Sequence, residues 1–495
     1  MRLLTQFSRL FLIVFALVLM RSPGQAQDVE TVYPKTLFCP NDTFRLKFSH
    51  IPTTETMTVS GSNIEEAGKN DYGTDALPNL VATLYYGMDS VKFRYHCLLP
   101  YSHIYFIPLE SPKGKTTLKL HFNRAVCYFS TAHLNKIRGQ VRYEVPEVYE
   151  LANVLWVLSA AGQRANIRFA GSLPTESAYY RRVEEYFRPY RSHAVFKALD
   201  VPDSSYFQQY FDFRENSFAF RFAHAFENGA KRTNTLLYGG SHYYVTGSSY
   251  ADGSLFGRLK PLVEDFARVS HFRRFYAANK RYYERERKRL SQLLSVRDMW
   301  RYLEKEFPGE RYNAYTIVFS PLIGSSHSTQ QYWHLQNYPA YFRECVMFIC
   351  GADRYDHDST LTESQKKGLM SGIVFTEIDH NYVNPTSNKY AAQIDSLFAK
   401  RGKWVRENAG NTGYGSPISV FNEYMTHALH CLYVQERFDA ATAAFVIQNR
   451  IELNAEKRGF VRFREFTNAL FDVRKHYPTR TMKELYPLVL DWCGN

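Results

Sequence analysis

Strict alternation of apolar and polar residues marks the chain up to about residue 125. The segments 44–48 (F-R-L-K-F), 91–97 (V-K-F-R-Y-H-C) and 118–122 (L-K-L-H-F) all alternate in this way. A period of two is typical of strands with one buried and one solvated face, as in an antiparallel sandwich. A turn at 87–90 is expected to join two such strands as a hairpin. The pattern predicts a β-rich accessory domain over residues 28–135.

Helical spacing of apolar residues replaces this alternation near residue 145. After Pro146, a residue typical of a helix start, Val148, Leu151 and Leu155 recur at intervals of three and four. A long helix is predicted to begin at Pro261. It continues into K-R-Y-Y-E-R-E-R-K-R-L, whose interleaved glutamates indicate a solvated helix with internal ion pairs rather than a polyanion-binding patch.

Two apolar runs interrupt this helical region. Residues 315–323 (Y-T-I-V-F-S-P-L-I) and 345–350 (C-V-M-F-I-C) each end at a glycine and predict strands that are buried on both faces. Cys345 and Cys350 lie five positions apart, so their side chains should point to opposite faces and should not form a disulfide. No cysteine pair has the C-x-x-C spacing, which excludes a cysteine-based zinc ribbon.

Two predicted helices follow these strands. The first begins with a capping box of Thr362 and Gln365 and is expected to end at Pro385. The second begins after Ser416, which can cap it, and runs to about residue 438. The sequence therefore predicts an α+β protein, with a β-sandwich-like N-terminal domain followed by a larger, mainly helical domain over residues 140–495.

Residues 1–26 have the pattern of a secretion signal. Basic residues flank an apolar run that is too short to span a bilayer comfortably, and small residues precede an expected cleavage near Gln27. The mature protein is expected to be exported, periplasmic or extracellular, without a transmembrane segment and without a lipid anchor. The formal net charge of +13 favours acidic partners only weakly, and nucleic acid is not expected as a partner of an exported protein.

Acidic and imidazole side chains recur at helical spacing on both predicted helices. Glu377 and His380 share a face of the first helix with apolar residues. On the second helix, Glu423, His427 and His430 form a similar stripe. A carboxylate or an imidazole that is directed inward needs a polar partner or a metal. We therefore expect the two helices to bring these groups together at one site.

The segment T-E-I-D-H at 376–380 differs at one position from H-E-x-x-H, the zinc-binding motif of many metallopeptidases. With two strands before it and a second acidic helix after it, this region resembles the zincin fold over residues 310–440. Asn422-Glu423 is similar to the context of the glutamate ligand in gluzincins. The mature chain also resembles a family of exported bacterial proteins of unassigned function that carry E-x-x-H-N-Y-x-N-P.

The resemblance implies a role for each matching residue. His380 and Glu423 would bind zinc, and Glu377 would polarise a zinc-bound water and pass its proton to the leaving amine. Thr376 departs from the pattern, because a hydroxyl is a poor zinc ligand compared with imidazole. A third protein ligand must then come from elsewhere, and His427, one turn from Glu423, is the best candidate.

Other residues near the motif are weaker candidates. His430 and Asp379 are further candidates for the third ligand, and Asp379 could instead hydrogen-bond to a ligand. Tyr382, two residues after His380, is a candidate for stabilising an oxyanion, with a place in the core as the alternative reading.

The leading prediction is zinc-dependent hydrolysis of a peptide or protein substrate in the cell envelope or outside the cell. The alternative is a catalytically inactive zincin-like protein that binds peptide or glycan, with the acidic and imidazole groups in a buried hydrogen-bonded network. The aromatic content of 16% fits Tyr-lined grooves as well as large aromatic cores. A structural metal, a two-metal carboxylate site and a purely structural envelope protein are the remaining alternatives.

Overall fold

The structure is a computed structural model of the 495-residue chain. It describes the strands between Asp28 and Asn123 and residues 131–494, except 170, 224–233, 239–242, 244–253, 338–339, 409–410 and 412. The predicted secretion signal lies outside the described residues. No helix in the described part combines the length and the apolar character needed to cross a membrane.

Two sheets are described in the N-terminal part, and the predicted β-rich region is confirmed. Their strands are β1 Asp28–Thr31, β2 Leu37–Phe38, β3 Thr43–Ser49, β4 Thr54–Ser60, β5 Asp71–Asp75, β6 Val81–Tyr86, β7 Asp89–Arg94, β8 His103–Ser111 and β9 Gly114–Asn123. The sheet β4-β3-β6-β7 is antiparallel and includes the predicted hairpin β6–β7. The sheet β1-β8-β9-β5 is mixed, because β1 and β2 pair with β8 in parallel and β5 pairs with β9 in parallel. The expectation of purely antiparallel pairing is therefore wrong for this sheet.

The rest of the described chain is mainly helical, so the predicted α+β class is confirmed. Its helices are α1 Thr131–Ile137, α2 Glu147–Leu158, α3 Ala160–Arg168, α4 Ala178–Phe187, α5 Ala194–Ala198, α6 Tyr206–Ser217, α7 Leu255–Val269, α8 Phe272–Ala278, α9 Lys280–Leu293, α10 Val296–Glu306, α11 Asp353–Asp356, α12 Glu363–Ser387, α13 Ala391–Phe398, α14 Pro417–Arg437, α15 Ala440–Ile451, α16 Phe463–His476 and α17 Met482–Gly494. Short 3₁₀ turns lie at Arg188–Tyr190, Asp203–Ser205, Asn388–Tyr390 and Arg401–Lys403, and a π-helical turn lies at Glu452–Lys457. The strands are β10 Val141–Glu144, β11 Phe220–Phe222, β12 Leu236–Tyr238, β13 Ala314–Ser320, β14 Ser328–Asn337 and β15 Ala340–Cys350.

The chain forms two compact units. The first contains the N-terminal strands together with Phe207–Asp265 and His334–Tyr341. The second contains Ile137–Tyr206, Phe266–Trp333 and Phe342–Asn495. Every predicted site residue lies in the second unit. The linear domain boundaries expected from the sequence, 28–135 and 140–495, stay a prediction.

A four-stranded sheet in the order β10-β13-β15-β14 precedes the motif helix in the chain. Strands β10 and β13 pair in parallel, as do β13 and β15, with Ser320 opposite Cys350. Every residue of β13 is buried, as its continuous apolar run predicts. Cys345 and Cys350 are buried and free, as are Cys431 and Cys493.

The helix that carries the motif starts where the sequence predicts and ends later. Thr362 and Gln365 form the capping box of α12, and Ser416 caps α14, so both predicted starts are confirmed. The predicted end at Pro385 is wrong, because α12 continues to Ser387. Proline has no backbone N–H group. At a position so near the end of the helix, the missing N–H removes only one of the last backbone hydrogen bonds.

The helix predicted to begin at Pro261 is also different in the structure. Helix α7 begins at Leu255, with Pro261 inside it, and ends at Val269. His271 then adopts a left-handed conformation with φ of 53°, which separates α7 from α8. The basic segment that follows forms the separate helix α9, in which Glu284 accepts from Arg287 at 2.6 Å, as expected for a solvated face.

Candidate functional site

Helices α12 and α14 pack against each other and carry the predicted site residues. On α12, Leu369, Ile373 and Thr376 are each less than a tenth exposed, whereas Glu377 and His380 are half-buried. The apolar part of this face therefore enters the core, and the part that carries Glu377 and His380 is partly exposed. The Thr376 hydroxyl donates to the backbone carbonyl of Gly372 at 2.9 Å.

His380 on α12 and Glu423 on α14 lie side by side. His380 Nε2 is 3.4 Å from Glu423 Oε1, and His380 Nδ1 is 3.3 Å from Asn384 Oδ1. Burial lowers the pKa of His380, but the hydrogen bond and charge of Glu423, with the charges of Asp379 and Glu377, outweigh it and raise the pKa to about 9. His380 is therefore positively charged at neutral pH.

Arg458 occupies the other side of Glu423. Its Nη2 donates to Glu423 Oε2 at 2.6 Å and to the Tyr414 hydroxyl at 2.9 Å. Its Nη1 donates to His427 Nε2 at 2.5 Å and to Asn454 Oδ1 at 2.9 Å. Burial raises the pKa of Glu423, but the Arg458 guanidinium, helped by the hydrogen bond from His380, holds it well below its usual range. Glu423 is thus a buried carboxylate compensated by two cations, Arg458 and His380.

The π-helical turn Glu452–Lys457 leads from α15 to Arg458. The Arg458 N–H donates to the carbonyl of Leu453 at 2.9 Å, and Asn454 Nδ2 donates to the carbonyl of Arg450 at 3.0 Å. π-Helical turns often occur at functional sites, because the extra residue redirects the side chains that follow. Arg458, directly after this turn, and Arg450, on α15 before it, both contact His427 of α14.

The side chain of Arg450, on α15, packs against the backbone of α12 at Gly372. A Cβ atom at Gly372 would lie 1.6 Å from Arg450 Nη2 and 2.9 Å from His430 Cε1. Only glycine leaves space for the guanidinium at this position. Arg450 Nη1 is 3.3 Å from His427 Nδ1. Among the residues that the structure describes, no carboxylate lies within ion-pair distance of Arg450.

Replacement of Gly372 by alanine is expected to lower the free energy of unfolding by on the order of 1–2 kcal/mol, because the new methyl group displaces the Arg450 guanidinium. Helix propensity alone predicts the opposite sign, a gain of about 1 kcal/mol. Urea unfolding followed by tryptophan fluorescence measures the difference. In an Arg450→Ala background the loss should become smaller; an equal loss in both backgrounds would contradict this explanation.

The other two candidates for the third ligand, His430 and Asp379, lie in the core. His430 is fully buried, and its Nε2 is 3.0 Å from Ser371 Oγ. Asp379 is also fully buried, and within the described part of the chain neither of its carboxylate oxygens has a hydrogen-bond partner. Burial, reinforced by the charges of Glu377 and Glu423, raises the pKa of Asp379 well above its usual range, against the opposing charge of His380. Burial thus favours the protonated form of Asp379, and among the described residues its carboxyl group does not hydrogen-bond to a candidate ligand.

Tyr382 lies in the core rather than at the site. It is fully buried, and its hydroxyl is 2.7 Å from the hydroxyl of Tyr315 on β13. Its ring packs near those of Phe307 and Tyr312. This position corrects the expectation of an oxyanion role, because the hydroxyl is engaged inside the core and does not face Glu377 or His380.

The donors at the site match a zinc ion only in part. Two donors bound to one tetrahedral zinc lie about 3.3 Å apart, and the 3.4 Å between His380 Nε2 and Glu423 Oε1 fits this spacing. A third donor does not fit, because the Thr376 hydroxyl bonds to its own helix and His427 Nε2 accepts from Arg458. No set of three His, Cys, Asp or Glu side chains in the described ranges could hold a metal ion. A three-ligand catalytic zinc does not fit these residues.

Sequence reasoning did not find Arg450 and Arg458. The helical spacing marks acids and imidazoles, whereas a buried carboxylate such as Glu423 also requires a cation. Gly368 and Gly372, one turn apart on α12, were the available signal, because small residues at this spacing allow close approach of another helix. A Cβ atom at Gly368 would lie 2.5 Å from a methyl carbon of Val446, also on α15.

Comparison with known proteins identifies a family without an assigned activity. Residues 142–491 match the family described as "Domain of unknown function (DUF4932)", and the chain belongs to this family. The matched range contains most of the second compact unit, the segments Phe207–Asp265 and His334–Tyr341 of the first, and every predicted site residue. No curated protein matches the chain significantly. No solved structure does so either.

Proposed function

We propose that this protein binds a peptide at the site between α12 and α14 and does not hydrolyse it, since Arg458 supplies the positive charge there. The observation that carries the proposal is the pair of short contacts from Arg458, 2.6 Å to Glu423 Oε2 and 2.5 Å to His427 Nε2. A guanidinium is always charged, so it compensates Glu423 without a metal. The expected export of the mature chain is part of this proposal.

The charges at the site favour a peptide over a neutral glycan. Glu377, His380 and Arg450 are all half-buried, so groups of both signs reach the solvent next to the buried Glu423. Charged groups on the wall of a site orient ligands that carry complementary charge, which the backbone termini and side chains of a peptide provide. A neutral sugar offers no such partner.

Zinc-dependent hydrolysis of peptide bonds is the second candidate function. The observation in its favour is the 3.4 Å separation of His380 Nε2 and Glu423 Oε1, with Glu377 half-buried on the same helix as a candidate base. It requires a third donor, which neither Thr376 nor His427 offers in its present contacts. The metal content of the protein separates the two candidates.

Protein purified without chelator is expected to contain much less than one zinc per chain, and added zinc should not bind at micromolar concentration. Combining Thr376→His with Arg458→Met should create zinc binding, because it adds an imidazole donor and releases Glu423 and His427. Elemental analysis after dialysis against zinc measures both. Lys367→His, on the same helix but away from Glu423, serves as the matched control.

Stoichiometric zinc in the unmodified protein would overturn the proposal and support hydrolysis. In that case Glu377→Gln should abolish cleavage of a peptide library while leaving the zinc content unchanged. If the unmodified protein is zinc-free but cleaves the library, non-hydrolytic binding is likewise wrong.

A further inference from the structure

His427 faces a guanidinium on both sides of its ring. Arg458 Nη1 lies 2.5 Å from Nε2, and Arg450 Nη1 lies 3.3 Å from Nδ1. A neutral imidazole has one lone pair, and a protonated one has none. At least one of these contacts therefore places a donor against a donor. His427 Nε2 is also 3.5 Å from Glu423 Oε2, but the 2.5 Å contact from Arg458 is much shorter and assigns the lone pair to Nε2, so the Nδ1–H of His427 points at Arg450.

Arg450 Nη1 and His427 Nδ1 are then two N–H donors that face each other without an acceptor between them. His427 is more than nine-tenths buried, so water is largely excluded from its ring. Its Nδ1–H has no acceptor in the described ranges, although buried donors are almost always paired. One oxygen about 2.9 Å from each nitrogen would form an ordinary triangle with two nitrogens 3.3 Å apart, and would satisfy both donors.

The charge at this position selects an anion. Arg450 has no carboxylate partner among the described residues, whereas Arg458 is matched by Glu423. Gly372 leaves the space that the Arg450 guanidinium occupies, since a Cβ atom there would lie 1.6 Å from Nη2. Arg450 is half-buried as a residue, and partial desolvation of its guanidinium strengthens a charge-assisted hydrogen bond.

We propose that Arg450 and His427 form a binding site for a small oxyanion, in which Arg450 Nη1 and His427 Nδ1 donate to one oxygen. The ligand group is a carboxylate, and its assignment to the C-terminus of a bound peptide rests on the proposed function. A carboxylate presents two acceptor oxygens in a plane, which suits a guanidinium that still has further N–H groups to offer. The site is thus a carboxylate subsite beside the Glu423–Arg458 pair.

Saturation-transfer NMR with the mature, metal-free protein tests the proposal. The probes are acetate, inorganic phosphate, and N-acetyl-tetra-alanine with either a free or an amidated C-terminus, at constant ionic strength. Acetate is expected to bind, and the free-acid peptide should bind about tenfold more tightly than its amide, the loss expected for one charge-assisted hydrogen bond. In Arg450→Met both effects should disappear, and Arg450→Lys should restore part of the acetate binding.

Arg464→Met, which removes an exposed arginine from α16, should leave every affinity unchanged. Acetate binding that persists in Arg450→Met, equal binding of the acid and amide peptides, or binding of phosphate alone would overturn the carboxylate subsite. Circular dichroism confirms that each variant is folded. A zinc-free protein that fails these tests refutes only the subsite, whereas stoichiometric zinc refutes the proposed function irrespective of the NMR result.

Discussion

Replacing Arg458 by methionine is expected to lower the free energy of unfolding by about 3 kcal/mol at pH 7, because it leaves Glu423 buried with only His380 as a cationic partner. The carboxylate side chain is only 6% exposed, so solvent cannot replace the guanidinium. Urea unfolding followed by tryptophan fluorescence measures the loss. Arg464→Met, at an exposed position, is the matched control and should change the stability by less than about 0.5 kcal/mol.

The loss should depend on pH in a defined direction. Arg458, helped by the hydrogen bond from His380, depresses the pKa of Glu423 in the folded protein against the effect of burial. The stability from this carboxylate is therefore present above its unfolded pKa of about 4.3 and is lost as the pH falls through the lower folded value. The difference between the unmodified protein and Arg458→Met should thus shrink in acid.

The double variant Arg458→Met/Glu423→Leu separates charge from packing. When both partners of a buried ion pair are replaced by apolar groups, the energy cost is often small, whereas removal of one partner is costly. The double variant should therefore be more stable than Arg458→Met alone. If it is less stable, the contacts of Glu423 with His380 and His427 matter more than its unpaired charge.

Replacing Asp379 by leucine is expected to stabilise the protein at pH 7 by about 2 kcal/mol, the penalty for a buried polar group without a partner. Asp379 is fully buried, and no described residue hydrogen-bonds to either of its oxygens. Leucine is apolar and of similar length. Asp395→Leu, at an exposed position on α13, is the control and should leave the stability nearly unchanged.

The pH dependence gives Asp379 a separate signature. Burial raises its folded pKa well above the unfolded value of about 3.9. Its contribution to stability is therefore fully present below about pH 3.9 and is lost as the pH rises toward the folded pKa. The stability gained by Asp379→Leu should grow from pH 4 to pH 7, and Asp379→Asn should show the same trend. A gain that is independent of pH would mean that Asp379 is ionised in the folded protein.

Much of the local structure around the site was predictable from short-range patterns. The capping boxes at Thr362 and Ser416 lie where the sequence places them, because capping depends on residues only three positions apart. The buried strands β13 and β15 follow from continuous apolar runs. The juxtaposition of His380 and Glu423, 3.4 Å apart, was likewise expected from inward-facing polar groups on two successive helices.

The predictions failed where a long-range contact decides the outcome. The position of Tyr382, two residues after His380, predicts a role in stabilising an oxyanion. In the structure its hydroxyl contacts the hydroxyl of Tyr315 on β13. Pro385 reads as a helix end, although α12 tolerates it in its last turn. His427 reads as a third ligand, whereas a guanidinium from a later part of the chain engages its Nε2.

Periodicity and capping chemistry in the chain itself were sufficient for the α+β class, the starts of α12 and α14, and the inward direction of Glu423. Such patterns express interactions between residues that are neighbours along one element. The partner of Glu423 could be identified only in three dimensions, because Arg458 reaches it through the packing of α15 and the π-helical turn after it. No spacing in the sequence encodes that contact, and it is the contact that distinguishes a charge-compensated binding site from a zinc site.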